Sequence, residues 1–242
     1  MCLILFSISA DPRYRLVVAA NRDEFYARPT QRPDFWPDAA HILGGRDLQA
    51  GGTWLGVTRY GRFAAVTNFR ESPMEPVPPR SRGALVADFL RSTDSCATYI
   101  GRIAPIANEF RGFNLLIDDG QDIYYYSNRQ LYGQLLKPGF YGLSNQLLDC
   151  DWPKVNRGRE QLQAIGDSGF DNEALFALLA DRGDQLPFSA GFIQSDTYGT
   201  SASTVVKVSQ QLDIYFAERA FQPLGQEAGR REYAFPIEVL ES

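Results

Sequence analysis

Two short apolar runs at the start of the chain, followed by four consecutive polar residues, constrain the fold most strongly. The runs cover residues 2–8 and 16–20, and Asp11-Pro12-Arg13 lies between them. Short apolar runs separated by a proline-containing turn predict a buried antiparallel strand pair. That pairing brings Cys2, at the start of the first strand, beside Asn21-Arg22-Asp23-Glu24, at the end of the second.

Cys2 is therefore a candidate nucleophile, because a nearby arginine favours the thiolate. If the initiator Met1 is removed, Cys2 becomes the N-terminal residue. Its own amine, with a pKa of roughly 8, can then accept the thiol proton; if Met1 is retained, no free amine adjoins the thiol. The alternative interpretation is structural, since cysteines in short strands are commonly small core residues.

Charge and cysteine content exclude several classes of function. The chain has 242 residues, a net charge of −5 and no run of Lys or Arg, which argues against a nucleic-acid partner. Its three cysteines, Cys2, Cys96 and Cys150, form no CxxC pair, so neither a disulfide framework nor a zinc site is indicated. We predict no bound metal and make no prediction of the oligomeric state.

The first apolar run does not resemble a secretory signal. It is short, lacks a basic segment before it, and is followed at once by charged residues. No uninterrupted apolar stretch approaches the roughly 20 residues that a membrane span requires. The sequence therefore predicts a soluble, cytoplasmic protein with no transmembrane segment.

Alternation and turn residues predict further elements along the chain. The predicted strand pairs cover residues 53–58 with 63–68, 113–117 with 123–128, 134–136 with 141–145, and 203–208 with 212–216. The predicted helices cover residues 82–91, 95–110, 154–165 and 171–181. Residues 25–52, rich in Pro and Gly, predict a long ordered loop whose glycines allow positive φ. Residues 71–79 contain four prolines and predict no regular structure.

These elements predict one α+β domain over residues 1–242. Hairpins at both ends with helical pairs between them indicate largely antiparallel sheets covered by helices. The fold class that fits this order is a four-layer αββα sandwich.

Several motifs resemble those of the NRDE family, also called the transport and Golgi organisation protein 2 family. They are Met1-Cys2, the Asn21-Arg22-Asp23-Glu24 block, Gly51-Gly52-Thr53-Trp54-Leu55-Gly56, Thr67-Asn68-Phe69-Arg70, and Gly142-Leu143-Ser144-Asn145. The resemblance covers nearly the whole chain. It implies an N-terminal nucleophile (Ntn) hydrolase-like fold, whose cysteine members cleave amides.

The resemblance also implies roles for individual residues. Cys2 would be the nucleophile, and Arg22 and Asp23 would hold the amine and the thiolate. Asn68 and Asn145 would donate hydrogen bonds to an oxyanion or a substrate amide, as acyl transfer requires; the alternative is that both cap turns at strand ends.

Four further residues are candidate substrate contacts: Asn21, Glu24, Trp54 and Arg70. For Trp54, the interpretation as a core residue is favoured over a role in binding. The family pattern usually has an arginine at the position of Ser201; if that arginine binds an anionic group in relatives, this protein would bind the group more weakly or elsewhere.

Two functions of different classes follow from the resemblance. Family members are associated with haem trafficking and with lipid or acyl-CoA handling, which implies a carrier of such an amphiphile. The alternative is a cysteine amidohydrolase acting on non-peptide C–N bonds through Cys2, and a third possibility is a degenerate hydrolase with a structural role. No cofactor is required, but the resemblance implies haem as a transported ligand, with Cys2, His41 or a general apolar groove as the candidate binding site.

Overall fold

The computed structural model describes residues 2–71, 80–130 and 132–239. Contacts divide the chain into two compact units. The first unit comprises Met1–Arg28, Pro138–Ser144 and Leu148–Pro236, and the second comprises Pro29–Lys137, Asn145–Leu147 and Ile237–Ser242. The single domain expected from the sequence stays a prediction. Met1 and the proline-rich residues 72–79, including Met74, lie outside the described residues.

The first unit is a six-stranded antiparallel sheet with two helices. In spatial order its strands are β10 (Gly139–Leu143), β1 (Leu3–Asp11), β2 (Tyr14–Phe25), β11 (Tyr198–Ser209), β12 (Asp213–Gln222) and β13 (Gln226–Pro236). The helices are α3 (Pro153–Ser168) and α4 (Asn172–Leu179), and a 3-10 turn covers Pro223–Gly225.

The predicted N-terminal hairpin is confirmed. In its register Leu3 pairs with Asn21 and Leu5 with Ala19. Alternate residues of a strand face one side of a sheet, and those of the strands and helices of this unit share one core. That core contains Leu3, Leu5, Val17, Ala19, Val205, Ala217, Val155, Leu162, Leu175 and Leu179.

The second unit is a seven-stranded antiparallel sheet with two helices. Its strands lie in chain order: β3 (Thr30–Trp36), β4 (Ala39–Asp47), β5 (Leu55–Thr58), β6 (Phe63–Asn68), β7 (Phe113–Asp118), β8 (Ile123–Ser127) and β9 (Gln134–Leu135). The helices are α1 (Arg82–Arg91) and α2 (Cys96–Ile103), followed by a 3-10 helix over Ala104–Glu109.

Capping residues set the helix boundaries of the second unit. Ser81 caps α1 by accepting from the Gly83 N–H, and Ser95 caps α2 by accepting from the Thr98 N–H. The sequence predicts one helix over residues 95–110, but Pro105 cannot donate to the α-helical ladder. The α-helix therefore ends at Ile103 and tightens into the 3-10 helix.

The prediction of a long loop over residues 25–52 is wrong, because this stretch contains the β3–β4 hairpin. Pro33 is tolerated because β3 is an edge strand and needs no full set of ladder donors. Gly44 allows close strand approach, since a Cβ there would lie 2.9 Å from the Leu55 carbonyl oxygen. Of the four glycines that the sequence assigns to turns, only Gly51 has positive φ, at 78°.

The predicted pairing of residues 134–136 with 141–145 is also wrong. Strand β9 pairs with β8, whereas β10 pairs with β1 in the sheet of the first unit. Two apolar segments separated by a short turn do not determine which strand each segment pairs with. Here each segment adds a strand at the edge of an existing sheet. The structure also adds β13, a polar edge strand in a tail for which the sequence predicts no strand.

Within the described ranges, no helix is both long and apolar enough to cross a membrane.

Candidate active site

The N-terminal hairpin places Cys2 beside the polar end of β2. Because Leu3 pairs with Asn21, the preceding residue, Cys2, comes next to Arg22. The Asp23 backbone N–H donates a hydrogen bond to the Cys2 sulfur. Cys2 is only 7% exposed, so the thiol lies in a small, largely dry environment.

Opposing effects act on the Cys2 thiol. Burial is the largest of them and raises its pKa, and the negative charge of Asp23 acts in the same direction. The Asp23 N–H and the positive charge of Arg22 lower it. The net result is a raised pKa, so the thiol needs a base before it can act as a nucleophile.

Asp23 is a buried carboxylic acid beside this thiol. The Thr200 hydroxyl donates to Asp23 Oδ1 at 2.7 Å. Burial raises the pKa of Asp23 to about 6, although the Thr200 hydrogen bond and the charges of Lys154 and Arg22 oppose the shift. A carboxyl group that titrates near neutral pH can both accept and return a proton.

Lys154 is a site residue that the sequence analysis missed. It stands in the first turn of α3 and is 1% exposed. Burial lowers its pKa, and the negative charges of Asp23, Cys2 and Cys150 raise it again, which places the ammonium within electrostatic reach of the candidate nucleophile. The only signal in the sequence is that Lys154 follows Trp152-Pro153 at the start of a helix, and lysines at helix starts are usually exposed.

Arg22 is held by its neighbours on β2 and β11. Its Nη1 donates to Ser201 Oγ at 3.1 Å, and Ser201 Oγ donates back to the Arg22 carbonyl oxygen at 3.1 Å. Glu24 lies 3.6 Å from Arg22 Nη2 and 3.8 Å from Arg28 Nε. Ser201 thus supports Arg22 directly.

Asn21 has a structural position. Its Nδ2 donates to the carbonyl oxygens of Leu179 and Gly191, at 2.7 and 2.9 Å. Its Oδ1 accepts from Ser203 Oγ at 2.5 Å. Both amide protons are therefore used within the protein, and none is left for a substrate.

Ser144 is a second residue that the sequence analysis did not assign to the site. Its hydroxyl donates to the Cys2 carbonyl oxygen at 2.6 Å and is fully buried. The bond fixes the backbone that presents the nucleophile. Ser144 lies in a motif quoted for the family resemblance, but only the next residue was assigned a role.

The other predicted site residues lie in the second unit. Asn145 Nδ2 donates to the Asn68 carbonyl oxygen at 2.8 Å, and the Asn145 carbonyl oxygen accepts from the Arg70 N–H at 2.7 Å. Trp54 is partly buried against the core of this unit. The roles assigned to these residues stay predictions.

His41, the predicted haem contact, is partly exposed in the second unit. Its ring stacks on Tyr60, with the ring centroids 5.5 Å apart. Its role stays a prediction. Across residues 2–71, 80–130 and 132–239, no group of three or more His, Cys, Asp or Glu side chains is placed to hold a metal ion.

The first unit also contains a cleft of about 200 Å³. Aromatic and charged side chains line it: Phe176, Phe192, Phe221, Arg182, Arg219 and Glu227. Ser203, the partner of Asn21, is also part of the lining. Phenyl rings beside guanidinium groups suit an amphiphile with an anionic end, but the volume is below the roughly 300–1,000 Å³ typical of sites that enclose a whole ligand.

Structure comparison first defines the class of fold. The structure resembles a Caenorhabditis elegans N-acylethanolamine-hydrolyzing acid amidase ortholog, with a TM-score of 0.55, 11% sequence identity, and coverage of 84% of this chain and 92% of that one. At this identity the likeness shows the fold alone. It confirms the α+β, Ntn-hydrolase-like fold predicted from the sequence, with a cysteine at position 2.

Sequence comparison then identifies the family. Residues 1–223 match the family Transport and Golgi organisation 2, and the chain belongs to it. It is 35% identical to the human Transport and Golgi organization protein 2 homolog, over 91% of this chain and 93% of that protein. It is 28% identical to the Drosophila melanogaster protein of that name, over 93% of both chains. The resemblance seen in the sequence motifs is thereby confirmed.

Proposed function

We propose that the protein is a thiol-dependent acyl hydrolase that cleaves non-peptide amides through Cys2. The observation that supports this most directly is the set of groups around the thiol. The sulfur accepts a hydrogen bond from the Asp23 N–H, and Arg22 and Lys154 lie within electrostatic reach. Hydrogen-bond donors and cations favour a thiolate over a thiol.

The reaction proceeds in two steps through a thioester. A base removes the Cys2 proton, the thiolate attacks the acyl carbon, and the C–N bond breaks as the leaving amine takes up a proton. Water then hydrolyses the thioester, releasing the carboxylic acid and returning the proton to the thiol. The base is either the α-amine exposed by removal of Met1 or the Asp23 carboxylate, whose pKa of about 6 suits the task.

The fold neighbour supports the amide class. Its name states that it hydrolyses N-acylethanolamines, which are non-peptide amides. Because only 11% of the residues are identical, the neighbour supports the scaffold and the type of bond and nothing more specific.

Intact-mass analysis after exposure to a panel of N-acyl amides and activated acyl esters tests the proposal. We expect a stoichiometric acyl adduct that maps to Cys2 and is absent in Cys2→Ala. Cys150→Ala is the matched control, because Cys150 is a second, partly exposed thiol within reach of Lys154. An adduct that persists in Cys2→Ala, or no adduct with any member of the panel, contradicts the proposal.

A carrier role for an acyl-CoA-like or haem-like amphiphile is a second candidate. The cleft with Phe176, Phe192 and Arg219 supports it, since it offers apolar surface and a cation together. Its volume of about 200 Å³ suits part of an acyl chain better than a whole porphyrin.

Titration with palmitoyl-CoA and with haem, followed by tryptophan fluorescence, tests the carrier role. We expect saturable binding of palmitoyl-CoA that Phe192→Ala weakens and Cys2→Ala leaves unchanged. Equal binding by wild type and Phe192→Ala would place any ligand elsewhere.

A further inference from the structure

Lys154 occupies a position that opposes a positive charge in three ways. It is 1% exposed, so its ammonium has lost most of its hydration. It lies in the first turn of α3, near the positive end of the helix dipole. Within the part of the chain that the structure describes, its Nζ has no hydrogen-bond partner. A charged residue that is kept in such an unfavourable position is a candidate for a functional role.

The backbone around Lys154 is fixed rather than adaptable. The Lys154 N–H donates to the Phe188 carbonyl oxygen at 3.1 Å. The Trp152 and Phe188 rings stack with centroids 4.2 Å apart and an interplanar angle of 9°. The Lys154 ammonium lies 5.8 Å from the Trp152 ring centroid, so the charged end of the side chain lies beside this stacked pair.

The charged groups that face Lys154 come from separate segments. Asp23 on β2 and Cys2 before β1 are two of them, and Cys150 before α3 is the third. The next charge along β2, Arg22, is engaged by Ser201 and Glu24. Among the buried cations in the part of the chain that the structure describes, Arg22 and Arg62 donate hydrogen bonds, whereas Lys154 Nζ donates none.

We infer that Lys154 is a positioning residue for the Cys2 thiol, acting as the counter-ion of a proton-sharing couple formed by Cys2 and Asp23. In this couple the proton moves from Cys2 Sγ to a carboxylate oxygen of Asp23. A thiol and a carboxylate become a thiolate and a carboxylic acid, and Lys154 stays an ammonium. One negative charge faces Lys154 before and after the transfer, so the cation stabilises both states and no free α-amine is needed.

This inference deepens the proposed function, since it rests on Cys2 as the reacting thiol. Its test uses alkylation without substrate. The rate of iodoacetamide modification of the Cys2 peptide is measured by mass spectrometry between pH 5 and 10, in wild type, Lys154→Met, Lys154→Arg and Lys137→Met. Met matches the lysine stem but has no charge, and Lys137 is an exposed lysine of the second unit that serves as the matched control.

We expect Lys154→Met to shift the Cys2 profile to higher pH by about one pKa unit, which lowers the rate about tenfold at pH values below the lower inflection of the profile. Lys154→Arg, which keeps the charge, should restore most of the rate, and Lys137→Met should match wild type. A folded Lys154→Met whose profile superimposes on that of wild type overturns the inference. A purely structural lysine would change stability without moving this profile.

Two measurements keep the test decisive if a variant folds poorly. Cys96 is fully buried, so its modification in the same digest reports loss of the fold. The double variant Asp23→Asn/Lys154→Met removes the buried carboxylate and the buried ammonium together, and its change in rate should differ from the sum of the two single changes because the two residues act as a unit. Additive losses would contradict the couple.

The two proposals can fail independently. A shifted alkylation profile without any acyl adduct would retain the couple and remove the hydrolase. An acyl adduct on Cys2, together with an unshifted profile in folded Lys154→Met, would retain the hydrolase and remove the couple.

Discussion

The two units each bury a cysteine beside aspartates, yet the two thiols differ in the charges around them. Cys96 opens α2 in the second unit and donates to the Asp122 carbonyl oxygen at 3.3 Å. Burial and the charges of Asp119 and Asp118 all raise the pKa of Cys96, and only Arg62 opposes them. Cys2 is also buried, but a backbone N–H and nearby cations face it.

Both thiols are therefore buried and have raised pKa values, and they differ in the sign of the charges that face them. A helix N-terminus usually lowers the pKa of a cysteine, but at Cys96 the carboxylates cancel that advantage. The Cys96 N–H donates to Asp119 Oδ2 at 2.7 Å, so Asp119 stabilises the start of the helix. The same types of residue thus serve architecture in one unit and form a candidate reactive site in the other.

The largest expected effect is the difference in reactivity between the two thiols. In the native protein at pH 8, we expect iodoacetamide to modify Cys2 at least about a thousandfold faster than Cys96. Cys96 is fully buried, so its reaction requires unfolding, which is rare in a stable domain. Site-resolved mass spectrometry measures both rates. Comparable rates would mean that the environment of Cys2 confers no reactivity beyond that of a core thiol.

The next effect is the pH dependence of stability caused by Asp23. Its pKa is about 6 in the folded protein, above its ordinary value of 3.8. The folded state therefore binds the proton more tightly, and its stability falls as pH rises from about 4 to 6. This change amounts to roughly 3 kcal/mol at most. Asp23→Asn should lack this loss of stability. Relative to wild type, its free energy of unfolding should therefore rise by up to that amount between pH 4 and 7.

Urea unfolding of both proteins at pH 4 and pH 7 measures this difference. Taking the difference between two pH values removes any constant cost of the substitution, including the cost of leaving Lys154 without its anion. Groups with lowered pKa values, such as Asp11 and Glu173, act with the opposite sign in both proteins and cancel. If the difference in stability between the variant and wild type is the same at pH 4 and at pH 7, Asp23 has an ordinary pKa.

The meeting of Cys2 with Arg22 and Asp23 follows from local sequence, because a hairpin between two apolar runs leaves few possible registers. Lys154 could not be found that way. It lies 152 positions after Cys2, and only the tertiary fold makes its burial visible. Thr200 could not be found that way either, because its bond to Asp23 depends on the pairing of β11 with β2.

The fold shows the same division between local and distant information. Alternation and turn chemistry identify most hairpins correctly, since these depend on neighbouring residues. The errors lie where an edge tolerates unusual residues, as with Pro33 in β3, or where a strand has a distant partner. Strand β10 is such a case, because it joins β1, more than a hundred residues earlier.

A smaller effect is expected on the structural side of the comparison, at Asp119. Besides the Cys96 N–H, its carboxylate accepts the N–H groups of Gln121 and Asp122, each at 2.9 Å. In Asp119→Asn only one side-chain oxygen remains as an acceptor. The variant therefore loses either the bond from the Cys96 N–H at the start of α2 or the bonds from the Gln121 and Asp122 N–H groups in the turn. We expect a loss of about 2 kcal/mol in the free energy of unfolding, measured by urea denaturation.

The control for this prediction is Asp122→Asn, because the Asp122 side chain is exposed. Cys96 should remain unreactive in folded Asp119→Asn, even though removal of the carboxylate lowers its pKa. Rapid alkylation of Cys96 in that variant would mean that charge, and not access, protects this thiol.

The smallest expected effect concerns Thr200, which supports the carboxylate of the candidate site. Its hydroxyl donates to Asp23 and accepts the Ile193 N–H at 2.9 Å. Thr200→Val keeps the shape and removes both bonds, at a cost of about 1 kcal/mol.

Because the hydroxyl favours the ionised carboxylate, the pKa of Asp23 should rise above 6. The lower inflection of the Cys2 alkylation profile should then move to higher pH, whereas Thr200→Ser, which keeps the hydroxyl, should leave it in place. A shift of equal size in Thr200→Ser, which still carries the hydroxyl, would contradict the assignment of the effect to this hydrogen bond.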